Sequence, residues 1–503
     1  MKKILISEEP WQTRIAIIDD GKLQNIYFWS HAGNHLERCF FNGKITKVLP
    51  GIQTAFVDIG QEKSGFLHIS EIDRELAINR MSGTLDPVET TNKKDSRKRR
   101  TVDISKVLKE NETILIQVSK EPVNEKGAKL TTCYTLPGRF LVLMPNIPRI
   151  GTSKKIADRE ERARLKTLVF KNLPEGMGAI IRTCSEGRKE QEIKQDLTFL
   201  LNAWEEIQTK KTNAQPPAKI YEDVSLSFQV IRDHLDEDVE SVIVDEKEEQ
   251  KKLVRYVKEI APEYSAKIKL YTGKTPLFER YKIEEQIKNS LYSKADLKSG
   301  GSIVIEATEA MTVVDVNTGR FVGKTNLEDT ILKTNLEAAH EVVRQLKVRN
   351  IGGLIVIDFI DMATNTNRQK LFRFFEKTLK EQDKFQSVVL RISEFGLVQM
   401  TRKRSGKTLA AQLTDNCSTC KGTGLIPSVR AESYNVLQNI KEELESGKAK
   451  GTIILNLNPG VFDHISTTEY NTVLNFEKSH NCKIVLQSKK NLEIPEFKLE
   501  ISS

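Results

Sequence analysis

The residues with the most evident chemistry lie between Met311 and Asp361. Two apolar runs bracket this stretch, MTVVDVN at 311–317 and GGLIVIDFID at 352–361, and each carries carboxylates where a buried strand ordinarily carries none. Side chains alternate faces along a strand, so Val313, Asp315 and Asn317 share one face. The same alternation sends Asp358 and Asp361 to opposite faces if their strand stays regular, and spacing does not choose between them. An unpaired carboxylate within an apolar run is costly, so Asp358 needs a cation or strong hydrogen bonds. Magnesium takes oxygen ligands, often one or two carboxylates with water and substrate phosphate, and Asp315 with Asp358 fits that description. Asn317 would orient a carboxylate or bind a scissile phosphate. The competing reading has these aspartates capping strand ends through turn amides, and spacing supports both.

Three further groups stand out. Arg182-Thr183 follows the glycine-rich GMGAII and would hold a phosphate by charge-assisted bonds at a strand end, unless Arg182 is a plain surface arginine. Phe56 and Phe66 lie in successive short strands with Lys44, His68 and Lys126 as neighbours. They form either a stacking platform for single strands or part of a barrel core. Cys417-Ser-Thr-Cys420 followed by Lys-Gly-Thr-Gly is half of a zinc knuckle. With no second CxxC in the chain, the pair is either redox-active or one half of a Cys₄ site shared by two chains; the glycines favour sharing, which makes the protein at least a dimer.

The elements that position these groups follow from the pattern. The 503-residue chain is long enough for several domains, with 29% charged residues, 38% hydrophobic residues and a net charge of +9, compatible with a polyanionic partner. The apolar run near the start is too short for a signal peptide, no run reaches membrane-span length, and six scattered cysteines do not suggest disulfides, so a reducing cytoplasm is expected. Residues 1–36 read as three strands with a hairpin turn at Asp20-Gly21, and 37–132 as a small barrel interrupted by a polar insert at 72–104 that holds the basic run Lys93–Arg100. Strand and helix then alternate, with a boundary near 213–217. Residues 300–400 carry the most apolar strands. SIVIEA and MTVVDVN are expected to pair, Leu327, Ile331, Ala338, Val342 and Leu346 mark one helix face, and LIVIDFI reads as a strand buried on both faces. Strand–helix–strand–helix–strand with parallel crossovers is the expected order. Residues 427–503 read as a small α+β module.

Taken in order, GKITKVLPGIQTAFVDIG, LVLMPN, LPEGMGAIIRT, IKLYTGKTPLF, SGGSIVIEATEAMTVVDVNTG, NLEAA, GGLIVIDFIDM and CSTCKGTG resemble the ribonuclease E/G family, across roughly residues 1–425 and most closely its shorter, G-type members. The resemblance implies a magnesium-dependent, single-strand-specific endoribonuclease of the bacterial cytoplasm, acting on ribosomal RNA precursors and messenger RNA. It implies Asp315 and Asp358 as magnesium ligands and Asn317 as the catalytic asparagine, with cleavage leaving a 5′-phosphate and a 3′-hydroxyl. Phe56, Phe66 and Lys126 match RNA-contacting positions, Gly138, Val142, Arg182 and Thr183 a pocket for a 5′-monophosphate, and Cys417 and Cys420 an intersubunit zinc link in a homodimer or tetramer.

The implied fold is multidomain α/β and α+β. An RNase H-like domain (1–36 and 227–291) is interrupted by an OB-fold, S1-type barrel (37–132) and a 5′-sensor domain (133–226). A DNase I-like catalytic domain (292–412), the zinc link (413–426) and a C-terminal domain (427–503) follow. Two alternatives from other classes remain: a non-catalytic RNA-binding scaffold, and a nuclease acting on DNA.

Overall fold

The computed structural model describes residues 1–33, 35–73, 103–122, 127–319, 327–393, 396–446, 451–492, 494 and 497–502. Lys126 and most of the insert at 72–104 lie outside the described residues. The chain divides into two compact units, 1–405 and 406–503.

In the first unit, Lys2–Glu9, Gln12–Asp19 and Lys22–Ser30 form an antiparallel meander. Its second turn is the Asp20-Gly21 pair, both at positive φ (47° and 75°), the conformation that a two-residue hairpin loop needs. Strand Lys2–Glu9 also pairs in parallel with Val239–Val244, more than two hundred residues later. The five-stranded sheet is completed by Ile268–Leu270, and Ile4, Ile6, Ile15 and Ile17 pack against the helices Leu226–His234 and Lys247–Ile260. The chain between these halves therefore folds as an insertion.

That insertion begins with a closed five-stranded barrel. Phe40–Leu49, Thr54–Asp58, Gly65–His68, Lys129–Thr131 and Thr113–Lys120 follow one another, and the last pairs back onto the first. The interior is tight: a Cβ on Gly43 would stand 2.6 Å from a Val57 methyl. A four-stranded sheet follows, in the order Ile150–Thr152, Gly178–Ile181, Leu141–Met144, Leu136–Pro137, packed on the helices Arg159–Asn172 and Glu190–Asn213.

The most apolar strands build a six-stranded sheet, ordered Lys294–Asp296, Ser302–Ala307, Met311–Asn317, Gly353–Asp358, Leu397–Arg402, Ser387–Val389. Ser302–Ala307 and Met311–Asn317 form the expected hairpin, and Met311–Asn317 runs parallel to Gly353–Asp358 through the helix Leu327–Val348. Two expectations are corrected. The Gly353–Asp358 strand has one buried face: Ile355 and Ile357 sit in the core, whereas Leu354 is 41% exposed and Asp358 is exposed. The helices Leu327–Val348 and Asn365–Gln382 both pack on the core side, so the opposite face stays open. The parallel alternation also stops after one crossover, because Leu397–Arg402 inserts antiparallel beside Gly353–Asp358 and leaves Ser387–Val389 at the edge.

In the second unit, Lys483–Ser488, Thr452–Leu457 and Lys498–Ser502 form a mixed three-stranded sheet with helices Val429–Glu445, Pro459–Thr467 and Tyr470–His480. Its core holds Val436, Ile440, Ile453, Leu455 and Ile465. No described helix is long and apolar enough to cross a membrane.

Candidate active site and RNA-contacting surfaces

Asp315 and Asp358 are direct register partners on their parallel strands, and both are exposed on the open face of the six-stranded sheet. Asn317, two residues along on the same face, donates from Nδ2 to Asp315 Oδ2 at 2.7 Å. Asp358 therefore does not sit inside apolar packing as its run of neighbours suggested; alternation carries it outward. Its carboxyl is nevertheless pushed above the ordinary carboxylate value, first by partial burial, then by the charge of Asp315, then by that of Asp361. The strand ends at Asp358, so the parity expected for Asp361 does not apply.

Two residues that the sequence did not single out hold this corner. Asn335, fully buried on the crossover helix, donates from Nδ2 to the Ile360 carbonyl at 2.8 Å and accepts from the Ile360 amide at 3.1 Å. Glu328 accepts from the amides of Ala363 and Thr364, both at 3.2 Å. Just before the strand Ser302–Ala307, Gly301 leaves no room for a side chain, since its Cβ would stand 2.5 Å from the Asn317 carbonyl oxygen.

Two carboxylates in direct register, exposed on one open sheet face, form a donor set that a hard divalent cation fits. Among the described residues no group of three or more His, Cys, Asp or Glu forms a fuller cage.

On the barrel, Phe56 and Phe66 are register partners, half-buried, while their neighbours Ala55, Val57 and Leu67 point into the core. The pair thus lies on the outer surface. Lys47, which the sequence reading passed over, pairs with Phe56, and Lys129 pairs with Phe66, giving a row Lys47–Phe56–Phe66–Lys129 across four strands. Lys129 is engaged by Glu71, whereas Lys47 is exposed. Lys44 is exposed, and His68 hydrogen-bonds Ser70 through Nδ1 at 2.8 Å.

Arg182 is not a free surface arginine. Its Nη1 donates to the Gly138 carbonyl and to Asp233 Oδ1, each at 2.7 Å, and Thr183 Oγ1 is 2.8 Å from Ser153 Oγ. Asp196, 7% exposed, holds the Gly138 turn by accepting from the amides of Arg139, Phe140 and Leu141, all at 2.9 Å. A Cβ on Gly138 would stand 2.6 Å from that carboxylate, so the position requires glycine. Val142 follows on the adjoining strand, opposite Pro137. Val142 thus lies on a strand of this small sheet, and Gly138, Arg182 and Thr183 lie just past the ends of its strands.

In the second unit, Cys417 is exposed and Cys420 half-buried. Backbone amides of Cys420 and Thr419, pointing at the Cys417 sulfur, lower its thiol pKa. Lys421, Gly422 and Gly424 take positive φ, folding the segment that follows into a tight turn.

A closed RNA-binding-type barrel inserted ahead of an α/β sheet that presents two register-paired carboxylates defines a class of multidomain protein acting on nucleic acid. Comparison with known families agrees. The ribonuclease E/G family model matches residues 135–405, the S1 RNA binding domain residues 40–132, and the RNase E/G thioredoxin-like domain residues 416–502. Ribonuclease G of Escherichia coli K12 is 37% identical over 438 residues, 87% of each chain, and ribonuclease G of Haemophilus influenzae is 38% identical over the same span. Ribonuclease E of H. influenzae is 34% identical over 99% of this chain and 52% of its own length. The chain belongs to the ribonuclease E/G family, and it is an endoribonuclease. The C-terminal α+β module, beyond the span of the resemblance, is covered by the thioredoxin-like model.

Proposed function

We propose that this endoribonuclease is magnesium-dependent and single-strand-specific, acts in rRNA maturation and mRNA decay in the cytoplasm, and favours substrates with a 5′-monophosphate. The observation that carries the reading is the register pair Asp315–Asp358 with Asn317 bonded to Asp315. Magnesium on this pair would polarise the scissile phosphate and activate a water. Asn317 orients the Asp315 carboxylate and presents the rest of its amide toward the phosphate. Phe56 and Phe66 stack unpaired bases on the barrel, and Lys126 adds a backbone contact. Water adds to phosphorus and the 3′-oxygen leaves, giving a 5′-phosphate and a 3′-hydroxyl.

Gly138, Val142, Arg182 and Thr183 form the pocket for the 5′-phosphate in this reading, with Arg182 supplying the charge. Cys417 and Cys420 give half of a structural zinc site completed by a second chain, so the protein works as a dimer or a higher oligomer. The five-stranded sheet with its helices is read as RNase H-like, and the six-stranded sheet as DNase I-like.

Replacing either aspartate tests the assignment. Asp315→Asn should abolish cleavage while leaving RNA binding nearly intact; cutting at the wild-type rate in magnesium refutes the site. Arg182→Ala should slow cleavage chiefly of 5′-monophosphorylated RNA. Equal loss on triphosphate and hydroxyl ends counts against the pocket.

A further inference from the structure

Asp233 stands between two arginines. Its Oδ1 accepts from Arg182 Nη1 at 2.7 Å, while Arg232 Nε lies 3.6 Å from the same oxygen, outside hydrogen-bond reach. Arg232 is 6% exposed. Its Nη1 donates to the Pro137 carbonyl at 2.9 Å and lies 3.5 Å from Asp223 Oδ1, but its Nε and Nη2 are buried without an acceptor among the described residues. A buried guanidinium N–H with no acceptor keeps its full desolvation cost. One carboxylate is thus near enough to serve either arginine and serves the more exposed one.

Three cations face this one carboxylate. Asp233 faces Arg182, Arg232 and Lys384, whose ammonium bonds the Asp233 backbone carbonyl. Asp223 is shared between Arg232 and Arg38, and Asp196 is committed to three backbone amides. Lys384 also faces Asp236, so Asp233 is the carboxylate that an incoming anion at Arg182 would compete with. If that anion simply displaced Asp233, the gain would be offset by the lost ion pair. If Asp233 instead turns to Arg232, the displaced carboxylate regains donors and the orphaned Nε and Nη2 are satisfied.

We propose that Asp233 is a positioning residue that exchanges partners: it holds Arg182 before substrate arrives and passes to Nε and Nη2 of Arg232 when a 5′-phosphate takes Arg182. This rests on the reading of the Arg182 pocket as a 5′-monophosphate site. The exchange makes Arg232, which no phosphate touches, a determinant of 5′-end preference.

The test compares kcat/KM on matched single-stranded RNAs with 5′-monophosphate and 5′-hydroxyl ends. The proteins are full-length wild type, Arg232→Gln, Arg232→Lys and the Arg232→Gln/Asp233→Asn double variant. In Arg232→Gln the monophosphate-to-hydroxyl ratio should fall on the order of tenfold, with the hydroxyl rate unchanged, because Asp233 then has nowhere to go. The double variant should recover most of the ratio, since no displaced charge remains. Arg232→Lys keeps the charge that Asp223 and Pro137 hold and serves if the glutamine variant folds poorly, seen as loss of hydroxyl-end activity. Its ratio should fall too. An unchanged ratio in the Arg232 variants, or no recovery in the double variant, overturns the exchange. A wild type that cuts both ends equally overturns the reading of the pocket itself.

Discussion

Asp315 and Asp358 sit opposite one another in parallel register, and the charge of Asp315 helps hold the Asp358 carboxyl above its ordinary value. Like charges are placed side by side at a site of the molecule where both are exposed. A divalent cation held by this pair would remove that repulsion and could also take water and phosphate.

Asn317 should matter through the carboxylate it touches. Its Nδ2 bond to Asp315 is the kind of outer contact whose loss typically costs about 10–100-fold in metal affinity or activity. Asn317→Ala is expected to raise the magnesium concentration for half-maximal cleavage as well as lower the rate. A fall in rate with unchanged magnesium dependence would assign Asn317 to phosphate binding alone.

Phe56 and Phe66 are expected to act as stacking surfaces. Each Phe→Ala change should weaken single-stranded RNA binding by roughly 1–3 kcal/mol with little loss of stability, because neither ring belongs to the barrel core. Lys47→Ala should reduce the salt slope of binding by about 1, as for a lysine that contacts one phosphate. Filter binding across a salt series checks both, with thermal melts separating a binding loss from unfolding.

Much of this surface was legible in the sequence, and the rest was hidden for definable reasons. Alternation in MTVVDVN placed Asp315 and Asn317 on one face, and Ala338, Val342 and Leu346 on the crossover helix are buried as their spacing required. The fully apolar look of LIVIDFI misled because the open face is itself lined by the aliphatic side chains of Val313, Leu354 and Val356, so composition could not separate its two sides. Lys47 is not legible from alternation because a register shift after Ile45 decides that it, rather than Thr46, meets Phe56. Asp233 lies 51 residues from Arg182, and only the folded insertion brings the two together.

Cys417→Ser and Cys420→Ser are each expected to release zinc and shift the protein to a smaller species in sedimentation velocity, with a chelator reproducing the shift on wild type. An unchanged oligomer after full zinc removal would place the assembly contact elsewhere.

Lys347 supplies a pH dependence of stability. Burial pushes its ammonium down to about 8 from 10.5, while its Nζ donates to Gln24 Oε1 at 3.1 Å. Between those two values the unfolded chain holds a proton that the folded chain has lost, so this group makes stability rise with pH across about 8 to 10.5. The wild-type stability minus that of Lys347→Met should therefore increase across this window, by up to on the order of 3 kcal/mol. Urea unfolding at the two ends of the range measures it. A difference that stays flat would mean Lys347 remains charged in the fold.

The most direct measurement incubates wild-type protein with single-stranded RNA and with single-stranded DNA of the same sequence, each with and without magnesium. The expected result is cleavage of RNA in magnesium alone, leaving 5′-phosphate and 3′-hydroxyl ends, and none by the Asp358→Asn protein. Cleavage of DNA at a comparable rate, or RNA cleavage that persists without divalent cation, would contradict the role given to Asp315 and Asp358.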